Sequence, residues 1–469
     1  MSTLEDRHQK LVRLQRLRKL GVRRGVPALA TPPTPGEDVP APAIEPASAI
    51  IPTPYPQPEP STFNLPPSTP ALPGAEVETP FGPAWVRVIR YPLSERPDLV
   101  ALLGLEPDAL VAAGRDATLA GLDTGRSVFI DTETTGLTAD TSTYTFLVGI
   151  GRFELPATAD PIAAGAFVVR QIFMRHPGEE RAQMYLVAEA LDGAAGIVSF
   201  NGRGFDLPLV QNRFVLSRLP FPWIGLPHLD LLPASRRVWR TRLESCRLTS
   251  LEQNILGVQR SEDDVPGYQI PDIYREYYRS GVVSNMLVRV FYHNLIDITT
   301  MPLLAARLGQ LYQVQGLSGR VDALHPAERL CLARAYADLG WDDAAELAYR
   351  AALSHASADA ERTQAYRELG FLLKRLERRD EAAALWEEWV AGVAGEEIIP
   401  YVELAKHHEW RTGDLAAARG WAAWALKIVE GWLPGLTREM TLADLRHRLA
   451  RIEAKLEGQA PPAAQDEPD

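Results

Sequence analysis

The sequence predicts an α/β domain, a mixed sheet flanked by helices, followed by an all-α domain of helical repeats and preceded by a disordered proline-rich region. Three observations carry that reading. Between about residues 126 and 308, apolar runs of strand length alternate with helical stretches. Beyond about Asp322 the strand signals stop and a helical motif recurs three times. From Val26 to Pro80 there are 17 prolines and not one Lys or Arg.

The bulk properties bound the answer. A chain of 469 residues exceeds one ordinary domain and implies two or three. With 46% hydrophobic and 23% charged residues it has a globular composition. No run of eighteen apolar residues occurs, so no membrane span is expected, and no apolar stretch of a secretory signal follows the start. Cys246 and Cys331 are too few for a disulfide framework and form no CxxC, which fits a reducing, cytoplasmic setting. A net charge of −11 argues against indiscriminate coating of nucleic acid; any phosphate contact must come from local basic patches.

Taken in order, residues 1–25 carry Leu4, Leu11, Leu14 and Leu17 on one helical face with Arg and Lys on the other. This is either a solvated helix or a basic arm that touches a partner. Residues 26–80 bury too little apolar surface to offset ordering entropy and read as a disordered linker. Its 55 residues could extend on the order of 170 Å.

Residues 81–317 form the α/β domain. Strand runs fall at 127–131, 144–153, 166–174 and 196–201; helices fall at 178–193, 206–218, 250–257 and 284–308. Short turns between the first three strands predict an antiparallel meander, which the fourth joins after a helix.

Residues 322–458 form the repeats. Ala333, Ala345 and Tyr349 align with Gly370, Ala382 and Trp386, and again with Ala405, Ala417 and Trp421, at offsets of 37 and 35 residues. The pattern resembles the tetratricopeptide family, with Trp389 and Trp424 standing where that family has a small residue. Such repeats imply a protein partner. Residues 436–456 read as a capping helix, and 459–469 as a frayed tail.

The chemistry begins in "FIDTETTGL" (129–137). Alternation along a strand puts Asp131 and Glu133 on one face. Two neighbouring carboxylates stay ionised together only beside a cation, and a hard divalent ion is the simplest one. A second stretch, "IVSFNGRGFDLPLV", ends a strand in Asn201 and opens a helix with Asp206, which could equally serve as a helix cap. In "FYHNLIDIT", His293 and Asp297 lie four apart on one helical face.

Together these motifs resemble the DEDD 3′–5′ exonucleases of the ribonuclease H-like fold over residues 126–308, and among them the YprB-type domains. "HLDLL" (228–232), "SLEQNILGVQR" (250–260) and "VPGYQIPDIY" (265–274) are similar to further stretches of those domains. The resemblance implies that Asp131, Glu133, Asp206 and Asp297 hold two divalent ions, Mg²⁺ or Mn²⁺. Family members place a Tyr four, or a His five, residues before the last Asp; this sequence departs from that, with His293 four and Tyr292 five before Asp297, the "HN" arrangement of the YprB-type pattern, which implies His293 as general base or water-orienting group with Tyr292 as the alternative.

Asp230 is expected to support the site from behind or to cap a helix. Arg236, Arg237 and Arg240, with Arg242 and Arg247, form either a solvated face or a phosphate-tracking patch, with Asn201 beside the site. Trp239 among them either stacks on a base or belongs to the core. The expected function is hydrolysis of single-stranded nucleic acid, DNA or RNA, from its 3′ end. The alternatives are an endonuclease of the same fold or a non-catalytic adaptor acting through the repeats.

Overall fold

The computed structural model describes residues 70–136, 142–261, 264–313, 316–356, 358–393 and 395–459. The basic segment 1–25 and most of the linker therefore lie outside the described residues. Seven strands form one sheet: β1 (Ala75–Thr79), β2 (Gly82–Pro92), β3 (Ser127–Thr134), β4 (Thr145–Glu154), β5 (Ala166–Phe173), β6 (Gly196–Ser199) and β7 (His228–Asp230), in the order β1-β2-β5-β4-β3-β6-β7. The meander β3-β4-β5 is antiparallel, and β6 joins β3 in parallel after a helix.

Two differences from the sequence reading stand out. Residues 75–79 were expected within the disordered linker but form edge strand β1, paired with β2. "AEVET" alternates with period two, and a hairpin gives its backbone groups partners; the surrounding prolines hid that signal. Strand β2 also went unforeseen. Its two arginines, Arg87 and Arg90, are three apart and break any clean alternation, and Val88, Arg90 and Pro92 leave one face of the strand open to solvent.

Both sheet faces are covered by helices. On one, Val128, Ile130, Val148, Ile150 and Ile172 pack against α2 (Glu180–Ala190) and α3 (Asp206–Leu216) through Met184, Val187, Val210 and Phe214. On the other, Phe146 and Phe173 pack against α5 (Ile270–Ser280) and the long α6 (Asn285–Tyr312) through Tyr274, Leu287 and Phe291. Helix α1 (Pro107–Gly114) precedes β3, and α4 (Leu231–Trp239) follows β7.

Helix α6 begins at Ser284, whose hydroxyl accepts the Leu287 N–H at 3.2 Å. It can lie close to β4 because Gly149 and Gly151 leave its side of the strand bare. A Cβ on Gly149 would collide with Asn294, and one on Gly151 with Ile298, one helical turn further along α6.

The chain divides into two compact units, the first ending at Ala348 and the second beginning at Tyr349. The division falls inside a helix over Asp342–His355. Helix α7 (Pro326–Leu339) packs on α4 in the first unit, so the first repeat copy falls largely there.

The second unit is all-helical: α8 (Asp359–Arg375), α9 (Arg379–Gly392), α10 (Ile399–His407), α11 (Leu415–Glu430) and α12 (Leu436–Gln459) pack in succession. Gly370 is small because the Trp386 indole lies against it. No helix among the described residues is long and apolar enough to cross a membrane.

One buried acid organises the end of this unit. Glu409 is paired with Arg448 at 3.4 Å, Arg451 at 2.8 Å and Lys455 at 2.8 Å, all from α12. Burial opposes its charge, but these cations outweigh it and bring the carboxyl down to about 2. An acid held below its unfolded value of about 4.5 stabilises fully above that pH and loses the contribution as pH falls toward 2. Glu409→Gln strands three half-exposed cations and is expected to cost the helical unit about 1–3 kcal/mol at neutral pH. Urea unfolding followed by circular dichroism reads this; a denaturation curve unchanged at pH 7 would remove Glu409 as the organising group.

Candidate active site

The site forms where β3 ends under α6. A register irregularity between Glu133 and Thr134 bends β3 at that point. Asp131 and Glu133 face α6, while Thr132 between them faces the opposite way. Asp206 reaches the strand end from that opposite side, in the first turn of α3, and accepts the Thr132 hydroxyl at 2.5 Å. Asp297 comes from α6. The three elements thus bring all four carboxylates into mutual electrostatic range.

That proximity shows in their proton affinities. Burial first, then Asp297, Glu133 and Asp206, pushes Asp131 well above the usual carboxylate range. Burial, opposed by His293 but reinforced by Asp297 and Asp206, raises Glu133 to about 7. Burial raises Asp206 to about 6 against the Thr132 hydrogen bond. A cluster of oxygen donors that resist joint ionisation is the donor chemistry a hard divalent cation reverses, so these residues fit one. As the side chains stand, no three His, Cys, Asp or Glu among the described residues are arranged around a common ion.

A resident cation already contacts one of the four. Arg260 is mostly buried, donates to Asp297, and binds Glu252 through Nε at 2.6 Å and Nη2 at 2.8 Å. Its Nη1 reaches Asp264 at 3.3 Å. Burial works against the guanidinium charge, and Asp297, Glu252 and Asp264 more than offset it.

His293 sits in the same cluster. Its Nδ1 lies 2.7 Å from Asp264 Oδ1 and its Nε2 3.7 Å from Asp297 Oδ2. Nδ1 thus lies between the Asp264 carboxylate, which only accepts, and Arg260 Nη1 at 3.2 Å, which only donates; the shorter contact to Asp264 favours the proton on Nδ1 and leaves Nε2 as the atom turned toward Asp297. Burial opposes charging the ring, but Asp297, the Asp264 bond and Glu133 lift it to about 10. Tyr292 instead accepts the Ser261 N–H at 3.0 Å.

The remaining residues singled out in the sequence are scattered in role. Asp230 caps α4 through the Leu232 N–H at 3.1 Å and also accepts the N–H groups of Asn201 at 2.8 Å and Arg203 at 3.2 Å. It therefore pins the glycine loop that leads to Asp206. Asn201 takes a left-handed backbone with φ of 67° and points to solvent.

Arg236 and Arg240 are exposed near the end of α4 remote from Asp230, roughly 9–15 Å along the helix. Arg237 differs: it is half-buried and donates to the Ala113 carbonyl of α1, a packing role. Trp239 is fully buried core and offers no stacking face.

Sequence reading missed Arg260, Glu252, Asp264, Thr132 and Asn294. Glu252 and Arg260 lie in "SLEQNILGVQR", where the Glu–Arg spacing carries no periodic signal for a pair formed across a loop.

Residues 128–309 match the RNase_H superfamily, and this segment is a ribonuclease H-like domain with a nuclease-type fold. The chain is similar to the "Uncharacterized protein YprB" of Bacillus subtilis (strain 168): the two are 27% identical over 380 residues, covering 79% of this chain and 86% of the relative. That similarity extends well beyond the ribonuclease H-like segment.

Proposed function

We propose that the protein is a metal-dependent nuclease that hydrolyses single-stranded nucleic acid from the 3′ end. The observation that supports this most is the convergence of Asp131, Glu133, Asp206 and Asp297 from three elements, with His293 held beside them. The four acids would hold divalent ions, Mg²⁺ or Mn²⁺, which supply water activation and stabilise the leaving 3′ oxygen. Asp264 holds the His293 ring so that Nε2 faces the cluster and accepts the proton of the attacking water. Neutralising Asp297 and Glu133 would also remove part of what lifts His293, the Asp264 hydrogen bond remaining, and so move it back toward the range a general base needs. Exposed Arg236, Arg240 and Arg247 are the side chains of the basic patch left to track phosphates, Arg242 being paired with Glu328.

Single-stranded DNA and RNA, labelled at the 5′ end, test the reading with and without Mn²⁺ or Mg²⁺. A ladder shortening from the 3′ end, abolished by a 3′ block and indifferent to a 5′ block, is the expected result. Cuts in a circular single strand would replace the exonuclease reading with an endonuclease. No metal-dependent cleavage of any substrate would leave the adaptor.

A further inference from the structure

Asp131 also has a dedicated hydrogen-bonded support to which the sequence reading gave no role. Four residues lie in one row across the sheet. Asp131 on β3 pairs with Gly149 on β4, Gly149 with Gln171 on β5, and Gln171 with Arg87 on β2. The empty position in that row, above Gly149, is filled from α6 by the fully buried Asn294.

The bonds along the row have a fixed direction. The Arg87 guanidinium can only donate, and its Nη1 meets Gln171 Oε1 at 3.3 Å. The Phe291 carbonyl can only accept, and it takes Gln171 Nε2 at 2.7 Å. The Gln171 amide therefore has one orientation, with Nε2 also donating to Asn294 Oδ1 at 2.9 Å. That bond in turn leaves Asn294 Nδ2 pointing at Asp131, whose Oδ2 it reaches at 2.9 Å. Both amides are ambiguous alone; an obligate donor at one end and an obligate acceptor in the middle settle them.

We infer that Asn294 is a positioning residue for Asp131, with Gln171 and Arg87 fixing its polarity through a relay and Gly149 providing the space it occupies. The inference deepens the nuclease reading and rests on it for its catalytic consequence. Asn294 donates to the carboxylate in its ionised form and holds one oxygen, so the other is presented to the cluster. Outer partners of this kind commonly matter about 10–100-fold in metal affinity or activity.

Kinetics and a metal-binding readout together test this on the full-length protein. Asn294→Ala is expected to lower kcat about 10–100-fold with KM for an oligonucleotide changed less than about threefold, and to weaken Mn²⁺ binding, followed by electron paramagnetic resonance, by a similar factor. Gln171→Met, which keeps the shape but loses the donor, should give a smaller loss of about 3–10-fold. Because Gln171 acts through Asn294, the double variant should be no worse than Asn294→Ala alone, whereas independent packing defects would multiply.

Wild-type kcat and Mn²⁺ affinity in Asn294→Ala, or multiplicative losses in the double variant, overturn the relay. Should Asn294→Ala fail to fold, Gln171→Met alone decides, and a wild-type result there counts against the relay. Should the wild-type protein neither bind Mn²⁺ nor cleave, the nuclease reading falls. The orientation of Asp131 in crystals of the metal-free Asn294→Ala protein then decides the relay: a turned carboxylate supports it, and an unmoved one ends it.

Discussion

Asp131→Asn is expected to reduce hydrolysis by on the order of a thousandfold or more while leaving the protein as stable as before, or more stable. The substitution keeps the shape and retains an oxygen to accept the Asn294 N–H. What it removes is a charge the divalent ions need.

In the metal-free protein that charge is a liability. Burial, Asp297, Glu133 and Asp206 all oppose ionisation of Asp131. The sign for pH follows. Glu133 near 7 and Asp206 near 6 hold protons in the native state that the unfolded chain has lost above about pH 4–5. Wild-type stability without metal therefore falls as pH rises from about 5 to 8, and the melting-temperature gain of Asp131→Asn should widen over the same window.

Added Mn²⁺ should raise the wild-type melting temperature and do much less for the variant. Normal cleavage by Asp131→Asn, or a full wild-type metal response, would refute the proposed site. A drop in melting temperature with no link to metal would make Asp131 a structural carboxylate.

Arg260→Met should act in the opposite direction on stability. Arg260 is the cation shared by Glu252, Asp264 and Asp297, and Glu252 is fully buried. Removing one partner of a buried ionic cluster leaves uncompensated charge and costs about 3–5 kcal/mol, which for a unit of this size lowers its melting temperature on the order of 10 °C. Lysine should rescue poorly, since one ammonium cannot span three carboxylates as the guanidinium fork does.

Mn²⁺ should restore part of the loss, because Asp297 then gains another cation while Glu252 does not. Calorimetry with and without metal measures both effects. A melting temperature within about 2 °C of wild type would show that Arg260 does not carry the cluster.

The two variants together separate a charge kept for chemistry from a charge kept for folding. Asp131 is expected to destabilise the metal-free fold and to be needed for turnover. Arg260 is expected to hold the same cluster together before any ion arrives, and its contact with Asp297 is one an incoming ion must compete with.

Much of this was legible in the sequence because it is local or periodic. The apolar runs 127–131, 144–153 and 166–174 became the meander, since β-strands that sit between two helical layers need unbroken apolar stretches. Asp131 and Glu133 share a face because strands alternate, and His293 and Asp297 share one because helices return every turn. Those two periods, with the Asn201–Asp206 loop, singled out the residues, and the resemblance to a known family then proposed the four acids as a set before any contact was known.

Tertiary structure alone decided the rest. Strand β1 was hidden among prolines, because its partners lie in the backbone of β2 rather than in its own composition. Arg237 looked like one more arginine of a basic patch until Ala113 of a distant helix took its guanidinium. Arg260, Asp264 and Asn294 carry no periodic mark at all. Their roles depend on an oriented charge or amide meeting a partner far along the chain, 37 residues away for Arg260 with Asp297 and 163 for Asn294 with Asp131. Residue spacing fixes which side chains share a face of one element. Which faces then meet, and which hydrogen-bond donors they leave pointing at a buried carboxylate, is set by how the sheet and helices pack.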